Sequence, residues 1–499
     1  MQKQSSYSGG ASNNMAISSL DKVLTNFYIP RMFEQIQVEN PGYEFFKNMN
    51  TVVSWGPGNT ASFPVRRKAK RAVVGGTSGR LPTGGSATYD QCTFDYTVFR
   101  TLVSFAWDLQ MKGGHERYIK NILDSAITDA KQEFLRRMNV YLYGGSLSYG
   151  TVDGVDNTVQ SNLDDSTFGA ANLVATLYAP SDTANGLSTE PLQVQSCWRK
   201  GNGTSDAFSA HGALWLQPGD FIAIASKVTS DKVFFRRVDA IDRSTYSSGY
   251  ASITLNKQLP GGVTAGSHIY FASPSDAADT IEDLTGTLIT ASGAELSDCK
   301  AGLLGMANAL FDKTYLGKVN GSAGGSDSYW KSVVKTGSTA GTNEALTFER
   351  IDALLLEMNQ QLFVKPDLLV MNPGMWHEFI SLSESNHSFF NQGQLPSGHK
   401  PGTKPLYSTA NATTGQGDLK VLVDPYCPHE RIITCDTGEM GYATAAQMGE
   451  AKEDGSFLRH TGTNYDEFHG WLRWAGQFIA HSPSAIGILQ DVTQDITAL

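Results

Sequence analysis

The chain holds few combinations of residue types at spacings that could support catalysis. His377-Glu378 begins the zinc-protease pattern HExxH, but position 381 is serine, so the second histidine ligand one helical turn later is missing. The run Gly75-Gly76-Thr77-Ser78-Gly79 has threonine where a GxSxG elbow has its nucleophilic serine. Gly144-Gly145-Ser146 follows a predicted helix, whereas a phosphate cradle precedes one. These patterns predict neither a metalloprotease, nor a serine hydrolase, nor a nucleotide site.

Metal-ligating residue types are present, but not in ligand patterns. Asp164-Asp165 and Asp327 lie in Gly/Ser/Asn-rich segments that could offer oxygen ligands to calcium, but no EF-hand register surrounds them, so ordinary solvated loops are expected. The cysteines are odd in number and lack CxxC spacing, which predicts reduced core thiols instead of disulfides or zinc ligands. They are Cys92, Cys197, Cys299, Cys427 and Cys435. The sequence therefore predicts no catalytic residue, no cofactor and no metal site, and a protein that is not an enzyme.

The most distinctive charged feature is a basic run that leads into a glycine-rich segment. Because its like charges repel and few apolar residues separate them, we expect it to become ordered only against another surface. That surface could be nucleic acid, a second protein subunit, or none if the run is simply a solvated turn. The net charge of −10 favours contact with another copy of the chain. The predicted intersubunit contact residues are Arg66, Arg67, Lys68, Lys70 and Arg71.

A group of aromatic residues near the end of the chain offers a second possible binding surface, for carbohydrate. The group consists of Trp471, Trp474, Phe478, Trp330 and Tyr329. Because Trp471 and Trp474 share their segment with Leu472 and Ile479, a sheet core or an interface is the favoured interpretation.

Composition limits the class of protein. At 40% hydrophobic and 18% charged residues, 499 residues can bury a sizeable core, and two or three domains with mixed helix and sheet are expected. The start of the chain is polar and does not resemble a signal peptide. The longest apolar runs, such as 221–225, fall far short of a membrane-spanning helix, so no membrane association is expected.

The elements that would position these residues can be predicted from hydrophobic spacing. Apolar residues at helical spacing predict one long helix over 115–143, with Lys120, Asp124, Lys131 and Arg136 on its outward face. Residues 60–65 and 94–98 read as strands on either side of the basic run, which predicts a long two-stranded loop. Residues 1 to about 20 are expected to form a flexible arm, and 17–49 two short helices with Pro30 and Pro41-Gly42 as breakers.

The middle and end of the chain alternate between sheet and helix patterns. Residues 150–210 are polar and weakly patterned, so irregular structure is expected there. Four short strands between 216 and 271 predict a small β-barrel or sandwich inserted in a larger domain. A helix over 347–361, a buried strand over 368–371 and a helix from Met375 predict an α/β layer. Further strands are predicted at 419–423, 431–435 and 440–443, and alternation over 468–492 predicts that the chain ends in a sheet.

The order of these parts resembles the major capsid protein of tailed bacteriophages, which has the Hong Kong 97-type fold. The similarity runs from about Leu20 to Val492 and is carried by the order and spacing of several short pieces. These are the long helix closing in Leu142-Tyr143-Gly144-Gly145, then Gly302-Leu303-Leu304, Thr314-Tyr315-Leu316-Gly317 and Trp330, Thr347-Phe348-Glu349-Arg350, Lys365-Pro366-Asp367-Leu368-Leu369-Val370-Met371-Asn372, Val423-Asp424-Pro425-Tyr426-Cys427, and the strands from Gly470-Trp471-Leu472 to Val492.

The resemblance implies an α+β Hong Kong 97-type capsid fold with a defined division of the chain. It implies an N-terminal arm (1–58), an extended loop (59–105), a peripheral domain with a spine helix (106–150 and 440–499), an inserted β-rich domain (151–283) and an axial domain (284–439). A long charged N-terminal scaffolding segment, present in some relatives, is lacking here. Either a separate scaffold protein exists or the segment has been cleaved, and the Met1 start favours a separate scaffold protein.

The resemblance also implies a function, a set of partners and a location. The chain is expected to assemble as hexamers and pentamers into an icosahedral shell around double-stranded DNA. Expected partners are portal and scaffold proteins, decoration proteins and the packaged DNA on the inner face, and the expected location is the virion, after assembly in the host cytoplasm. Two alternatives stay open: a secreted glycan-binding β-protein, and the shell of an encapsulin-like compartment.

Overall fold

The computed structural model describes residues 41–47, 60–68, 88–106, 116–144, 173–177, 191–196, 198, 213–225, 233–244, 250–257, 259, 268–272, 303–311, 314–316, 318–319, 330–337, 342–385, 406–408, 418–450, 459–460 and 467–494. The helices in these ranges are α1 (Pro41–Lys47), α2 (Glu116–Tyr143), α3 (Met306–Phe311), α4 (Phe348–Leu362) and α5 (Pro373–Ser385).

The strands in the same ranges follow the chain from β1 to β20. They are β1 (Thr60–Lys68), β2 (Thr88–Asp95), β3 (Thr97–Ala106), β4 (Leu173–Leu177), β5 (Leu192–Ser196), β6 (Phe221–Ala225), β7 (Val233–Asp242), β8 (Ala251–Leu255), β9 (His268–Phe271), β10 (Thr314–Tyr315), β11 (Lys318–Val319), β12 (Val333–Lys335), β13 (Leu368–Met371), β14 (Leu406–Ser408), β15 (Asp418–Val423), β16 (Ile432–Cys435), β17 (Met440–Glu450), β18 (Arg459–His460), β19 (Glu467–Ala480) and β20 (Ile486–Leu489). The described elements are mainly strands in sheets with few helices, which agrees with the predicted α+β class.

A two-stranded ribbon of β1 and β2 leads into a four-stranded sheet. β1 pairs antiparallel with β2, with Thr60 opposite Asp95 and Arg66 opposite Tyr89. One residue later β3 begins, and it pairs along its length with β19, whose other edge takes β17 and β18. The predicted two-stranded loop is thus confirmed, but its second strand is residues 88–95, and residues 97–98 of the predicted strand belong to β3. Alternating inward residues such as Phe99 and Val103 make β3 part of the sheet core.

The long helix α2 packs on the inner face of this sheet, and its predicted span is confirmed to within one residue. Phe134 of the helix contacts Phe99 of β3 at a centroid distance of 6.3 Å. The ring of Phe99 also stacks on Tyr141 at 5.6 Å and lies 5.9 Å from Trp474 of β19. These aromatic contacts, together with the buried Met138, fix the helix across the strands.

The β-rich middle of the chain forms a closed barrel. Its strand order is β4-β5-β8-β7-β6-β9, and its interior is filled by side chains such as Ile222, Ile224, Ile253 and Ile269. The four predicted strands are confirmed. The expectation of irregular structure over 150–210 is wrong at β4 and β5, because these five-residue strands are too short to stand out within a polar segment.

The third sheet has six strands in the order β12-β20-β16-β13-β15-β14. Strands β13, β16 and β20 are buried on both faces, and apolar residues accordingly make up all of β13 and most of β16 and β20. One face packs against α4 and α5 through a cluster that includes Leu354, Met358 and Phe379, which confirms the predicted α/β layer. The pairing of β20 with β16 places Ile486–Leu489 beside strands of the predicted axial domain, although the proposed division assigns 440–499 to the peripheral domain.

The described part of the N-terminal arm is helix α1. This helix begins at Pro41, inside the 17–49 segment where two short helices were expected, and the residues that Pro41-Gly42 was expected to separate from it lie outside the described ranges. At that position a proline loses nothing by lacking an N–H, since the first amides of a helix have no partner within it. The predicted flexible arm over 1–20 and the rest of the two short helices lie outside the described residues.

Candidate functional site

The last three turns of α2 form a junction where distant parts of the chain meet. Arg136, Asn139 and Tyr143 are buried there, although two of the three are strongly polar. Buried polar groups persist in folded proteins only when hydrogen bonds replace their lost hydration. Their partners therefore show what the junction holds together.

Asp424, which follows β15, is the centre of the first polar cluster. Its side chain is fully buried and accepts hydrogen bonds from the Gly42 amide at 3.0 Å and the Tyr426 amide at 2.9 Å. It also accepts from the Tyr143 hydroxyl at 2.8 Å, and Asn139 Nδ2 lies 3.1 Å from both carboxylate oxygens. The carboxylate thus joins α1, α2 and the loop after β15.

Helix α1 is capped by residues far from it in the sequence. The first amides of a helix have no partner within it and carry a partial positive charge. Here Asp424 accepts from Gly42, and Asn139 Oδ1 accepts from the Tyr43 amide at 2.8 Å. Because both caps come from other elements, α1 is held in place by tertiary contacts rather than by its own sequence.

The electrostatics of Asp424 argue for a structural role. Burial raises its pKa, and the hydrogen bonds from Tyr426, Tyr143, Asn139 and Gly42 oppose that shift. Burial and the nearby Asp424 also raise the pKa of Tyr143 well above its ordinary value. A carboxylate whose oxygens are occupied by internal donors has no acceptor position left for a substrate proton. The cluster can hold elements together but offers no general base.

The second polar cluster surrounds Arg136 and joins α2 to the barrel. Arg136 pairs with Asp220, which precedes β6, and donates from Nε to Glu133 at 2.7 Å. Its Nη1 donates to the Trp215 carbonyl at 3.0 Å. Burial acts against the charge of Arg136, but Glu133 and Asp220 outweigh it and raise the pKa of the guanidinium. The expectation that Arg136 faces outward is wrong, because these carboxylates and the carbonyl satisfy it inside the protein.

A hydrogen bond connects the two clusters. Trp215 Nε1 donates to the carbonyl of Tyr426 at 2.8 Å, and the Tyr426 amide donates to Asp424. The barrel, the long helix, α1 and the six-stranded sheet therefore meet at one junction. Hydrogen bonds thus connect these four parts into one body.

The root of the ribbon of β1 and β2 packs on that body. Ala61, Cys92 and Phe94 are buried, and Phe63 contacts His481 at a centroid distance of 5.1 Å. The root therefore does not wait for another copy to become ordered, because its alternating apolar residues pack on the chain's own core.

A small hairpin of β10 and β11 supports the ribbon further out. Lys318 donates to Asp90 at 2.6 Å, and the Thr93 amide donates to the Leu316 carbonyl at 3.3 Å. Beyond this support, Tyr89 is 65% exposed and lies opposite Arg66. The outer part of the described ribbon thus carries an aromatic residue and the start of the basic run.

The predicted contact residues are described only in part. The backbone of Arg66, Arg67 and Lys68 continues β1, so the strand extends three residues further than expected. The side chains of these three, and all of Lys70 and Arg71, lie outside the described part of the chain. Their role as intersubunit contacts stays a prediction.

The other candidates from the sequence are not brought together. His377 lies exposed on α5, as expected for a surface residue. Trp474, Phe478 and Trp330 are core residues, whereas Trp471 is 44% exposed, and Tyr329 lies outside the described ranges. Cys92, Cys427 and Cys435 are buried free thiols, which confirms the prediction for the cysteines that the structure describes.

Neither a metal-binding cluster nor a membrane-spanning helix occurs in the described ranges. These ranges contain no group of three or more His, Cys, Asp or Glu side chains that could hold a metal ion. None of the helices described is both long enough and apolar enough to cross a bilayer.

Sequence reasoning missed both polar clusters. Asp424 stands within one of the motifs that resemble the capsid family without a role of its own, and no sequence pattern marks Asn139. A usable signal existed, because Arg136 and Asn139 are polar residues close to the apolar positions Met138 and Leu142 in the last turns of a long helix. A polar residue among core positions indicates a buried partner elsewhere in the chain.

Comparison with known proteins gives similarity at the level of structure only. The sequence matches no protein-family model, and no curated protein is significantly similar to it. Similar solved structures are mostly capsids.

Three of these solved structures show how far sequence identity, coverage and TM-score vary. The capsid asymmetric unit of cyanophage A-1(L) is 13% identical with a TM-score of 0.41, covering 95% of this chain and 98% of that one. The capsid of a native GTA particle is 8% identical with a TM-score of 0.38, covering 94% and 97%. An encapsulin complex from Synechococcus elongatus is 15% identical with a TM-score of 0.22, covering 32% and 52%. These similarities carry no conclusion about what this chain binds.

Proposed function

We propose that this chain is a shell-forming structural protein, the major capsid protein of a tailed bacteriophage. In this proposal it assembles as hexamers and pentamers into an icosahedral shell that encloses double-stranded DNA. The order of parts in the sequence supports the proposal, as does a body built as one unit with a ribbon extending from it.

One observation carries the proposal: the two ends of the ribbon have opposite environments. The root is buried on the body, whereas Tyr89 near the outer end is 65% exposed. A two-stranded ribbon is only marginally stable by itself in water. Five of the six residues from 66 to 71 are basic, and tyrosine and arginine are enriched where binding energy concentrates in interfaces. An outer end of this composition suits a contact with a second copy.

The physical role of such a ribbon follows from the geometry of closed shells. Hexamers and pentamers place the same subunit in slightly different contacts, so some part of each interface must tolerate a change of angle. A ribbon fixed at its root can bend along its length while the body stays unchanged. In this proposal Arg66, Arg67, Lys68, Lys70 and Arg71 meet acidic groups on the neighbouring subunit.

The finer parts of the proposal concern domains, partners and location. We assign 1–58 to an arm, 59–105 to an extended-loop region whose projecting part is β1 and β2, 151–283 to an inserted β-rich domain, and 284–439 to an axial domain. Residues 106–150 and 440–499 form the peripheral domain, with β20 shared with the axial sheet. Portal, scaffold and decoration proteins are proposed partners, and the virion, after assembly in the host cytoplasm, is the proposed location.

Charge reversal in the basic run tests the proposal. Replacing Arg66, Arg67 and Arg71 by glutamate should abolish closed particles in electron micrographs while the circular dichroism of the subunit stays unchanged. The matched control replaces Lys131, Lys365 and Lys420, three exposed lysines outside the ribbon, by glutamate and changes the net charge equally. Normal particles from the arginine variant would contradict the proposed contact.

The wild-type protein tests the function itself. Particles that protect double-stranded DNA from nuclease support a capsid, and particles that hold an enzyme instead would assign the chain to a compartment shell. A monodisperse monomer under all conditions in light scattering would reject both and favour the glycan-binding alternative.

A further inference from the structure

The outward face of the four-stranded sheet carries four residues that the junction and the ribbon do not use. Arg473 of β19 lies directly opposite Arg100 of β3, and two positions along, Trp471 lies opposite Leu102. The two strands turn alternate residues to opposite faces. Phe99 and Trp474 therefore face α2, while these four face away from it. We name this set the arginine face.

The charges of the arginine face have no partner within the described residues. Arg100 and Arg473 are both exposed, and no ion pair or hydrogen bond joins either guanidinium to a described residue. Residues directly opposite each other in an antiparallel pair have Cβ atoms only about 4.5–5.5 Å apart, and like charges at that spacing are unfavourable. On the other side of Arg473, β17 presents Gly449, which offers no side chain. An anion placed between the two guanidiniums would remove this repulsion.

The apolar half of the face indicates what kind of anion fits. Trp471 is 44% exposed and Leu102 is 41% exposed, and they are neighbours on the same face. Tryptophan and arginine are enriched at the centres of protein interfaces, where the indole supplies apolar area and the guanidinium pairs with carboxylates. The phosphate backbone of duplex DNA would satisfy the charges but would leave the indole without an apolar contact.

The charge of the chain identifies a source for the carboxylates. The sequence has 49 acidic and 39 basic residues, so another copy presents an excess of acidic groups. We propose that the arginine face binds an acidic segment of a second copy, with a carboxylate between Arg100 and Arg473 and the rest of the segment on Trp471 and Leu102. This inference rests on the proposed shell, in which copies contact one another through unlike surfaces.

Zero-length cross-linking tests the inference directly. An Arg473→Lys variant keeps the positive charge and provides an amine that a carbodiimide can couple to a contacting carboxylate. Particles are assembled from equal parts of light and ¹⁵N-labelled variant, cross-linked and digested. We expect peptides in which the amine introduced at position 473 of one isotope is joined to an acidic residue of the other isotope. Coupling of Lys318 to Asp90 within one copy serves as the positive control, because these side chains already form an ion pair at 2.6 Å.

The outcomes separate this inference from the proposed function. Particles that form and show the Lys318 cross-link, but none between copies from position 473, would overturn the inference and leave the shell intact. Failure of the wild-type protein to form particles would reject the proposed function and this inference with it.

A charge-reversal variant provides a second test. Replacing Arg100 and Arg473 by glutamate should lower particle yield by about tenfold, because charge-assisted contacts to carboxylates become repulsive at every interface. The control is Lys365 and Lys420 replaced by glutamate, which changes the net charge equally and should assemble normally. Equal yields from both variants would overturn the inference. A further outcome concerns DNA. If the wild-type subunit binds duplex DNA and the variant with Arg100 and Arg473 replaced by glutamate does not, the face binds nucleic acid and the inference is overturned.

Discussion

The Asp424 carboxylate accepts a hydrogen bond from the Gly42 amide at 3.0 Å, although 382 positions separate the two residues. The contact fixes a segment near the start of the chain to a loop near its end, against the long helix between them. Nothing in this contact is accessible to a substrate, because Asp424 is fully buried. The contact holds α1 on the long helix and on the loop after β15.

A methyl group at position 42 should separate α1 from the junction. A Cβ on Gly42 would overlap Asp424 Oδ2 and would lie 2.7 Å from Asn139 Oδ1, much closer than these atoms can approach. Gly42→Ala should therefore lower the free energy of unfolding by roughly 1–3 kcal/mol. It should also increase hydrogen exchange in 41–47. Lys131→Ala, at an exposed position of α2, is the control, and equal exchange in both variants would show that α1 does not need this contact.

The titration of Asp424 should appear as a pH-dependent stability difference between the wild type and Asp424→Asn. Burial raises the pKa of Asp424 above its ordinary value of 3.8, so the folded state binds this proton more tightly than the unfolded state. The stabilisation is fully present below 3.8 and is lost as pH rises through the raised pKa. The wild-type advantage over the non-titrating variant should therefore shrink with rising pH. Urea unfolding of both proteins from about pH 4 to about pH 8 measures this difference in unfolding free energy. A wild-type advantage that grows with pH would mean that the hydrogen bonds to Asp424 outweigh its burial.

Replacing the buried Arg136 should lower the free energy of unfolding far more than replacing the exposed Lys131 of the same helix. Arg136→Met leaves the buried Asp220 without its counter-ion, which should cost about 3–5 kcal/mol. Arg136→Lys keeps the charge but not the paired contacts and should fall between that variant and the wild type. Lys131→Met should stay within about 0.5 kcal/mol of the wild type. Thermal unfolding of the three variants gives this order, and equal effects at 131 and 136 would contradict the buried cluster.

The described cysteines should resist alkylation in the folded protein. Burial raises the pKa of Cys92 to about 11, and it raises the pKa values of Cys427 and Cys435 well above the ordinary thiol range. Since the thiolate is the reactive form, iodoacetamide at about pH 8 should leave all three unmodified until the protein is unfolded. Peptide mass spectrometry reads each site separately. A Lys131→Cys variant should react quickly at that position in the same sample, and rapid labelling of Cys92 would contradict the packing of the ribbon root.

Elements with a strong local period could be predicted from the sequence. The helix over 115–143 and the buried strand Leu368–Met371 follow directly from apolar spacing, since a period of 3.6 or a short continuous apolar run selects one backbone geometry. The strands β4 and β5 could not be recognised, because five residues within a polar segment carry too little pattern.

The sequence by itself determined the positions of most helices and strands, the lack of any catalytic spacing and the basic run near the front of the chain. Only the tertiary structure decided that Arg136 is buried with Asp220, that Asp424 caps α1, and that Arg100 and Arg473 lie side by side. The physical reason is that hydrophobic periodicity is a local property, written in residues a few positions apart. The partner of a buried polar group is selected by chain topology, and the residues that meet at this junction lie as far as 382 positions apart.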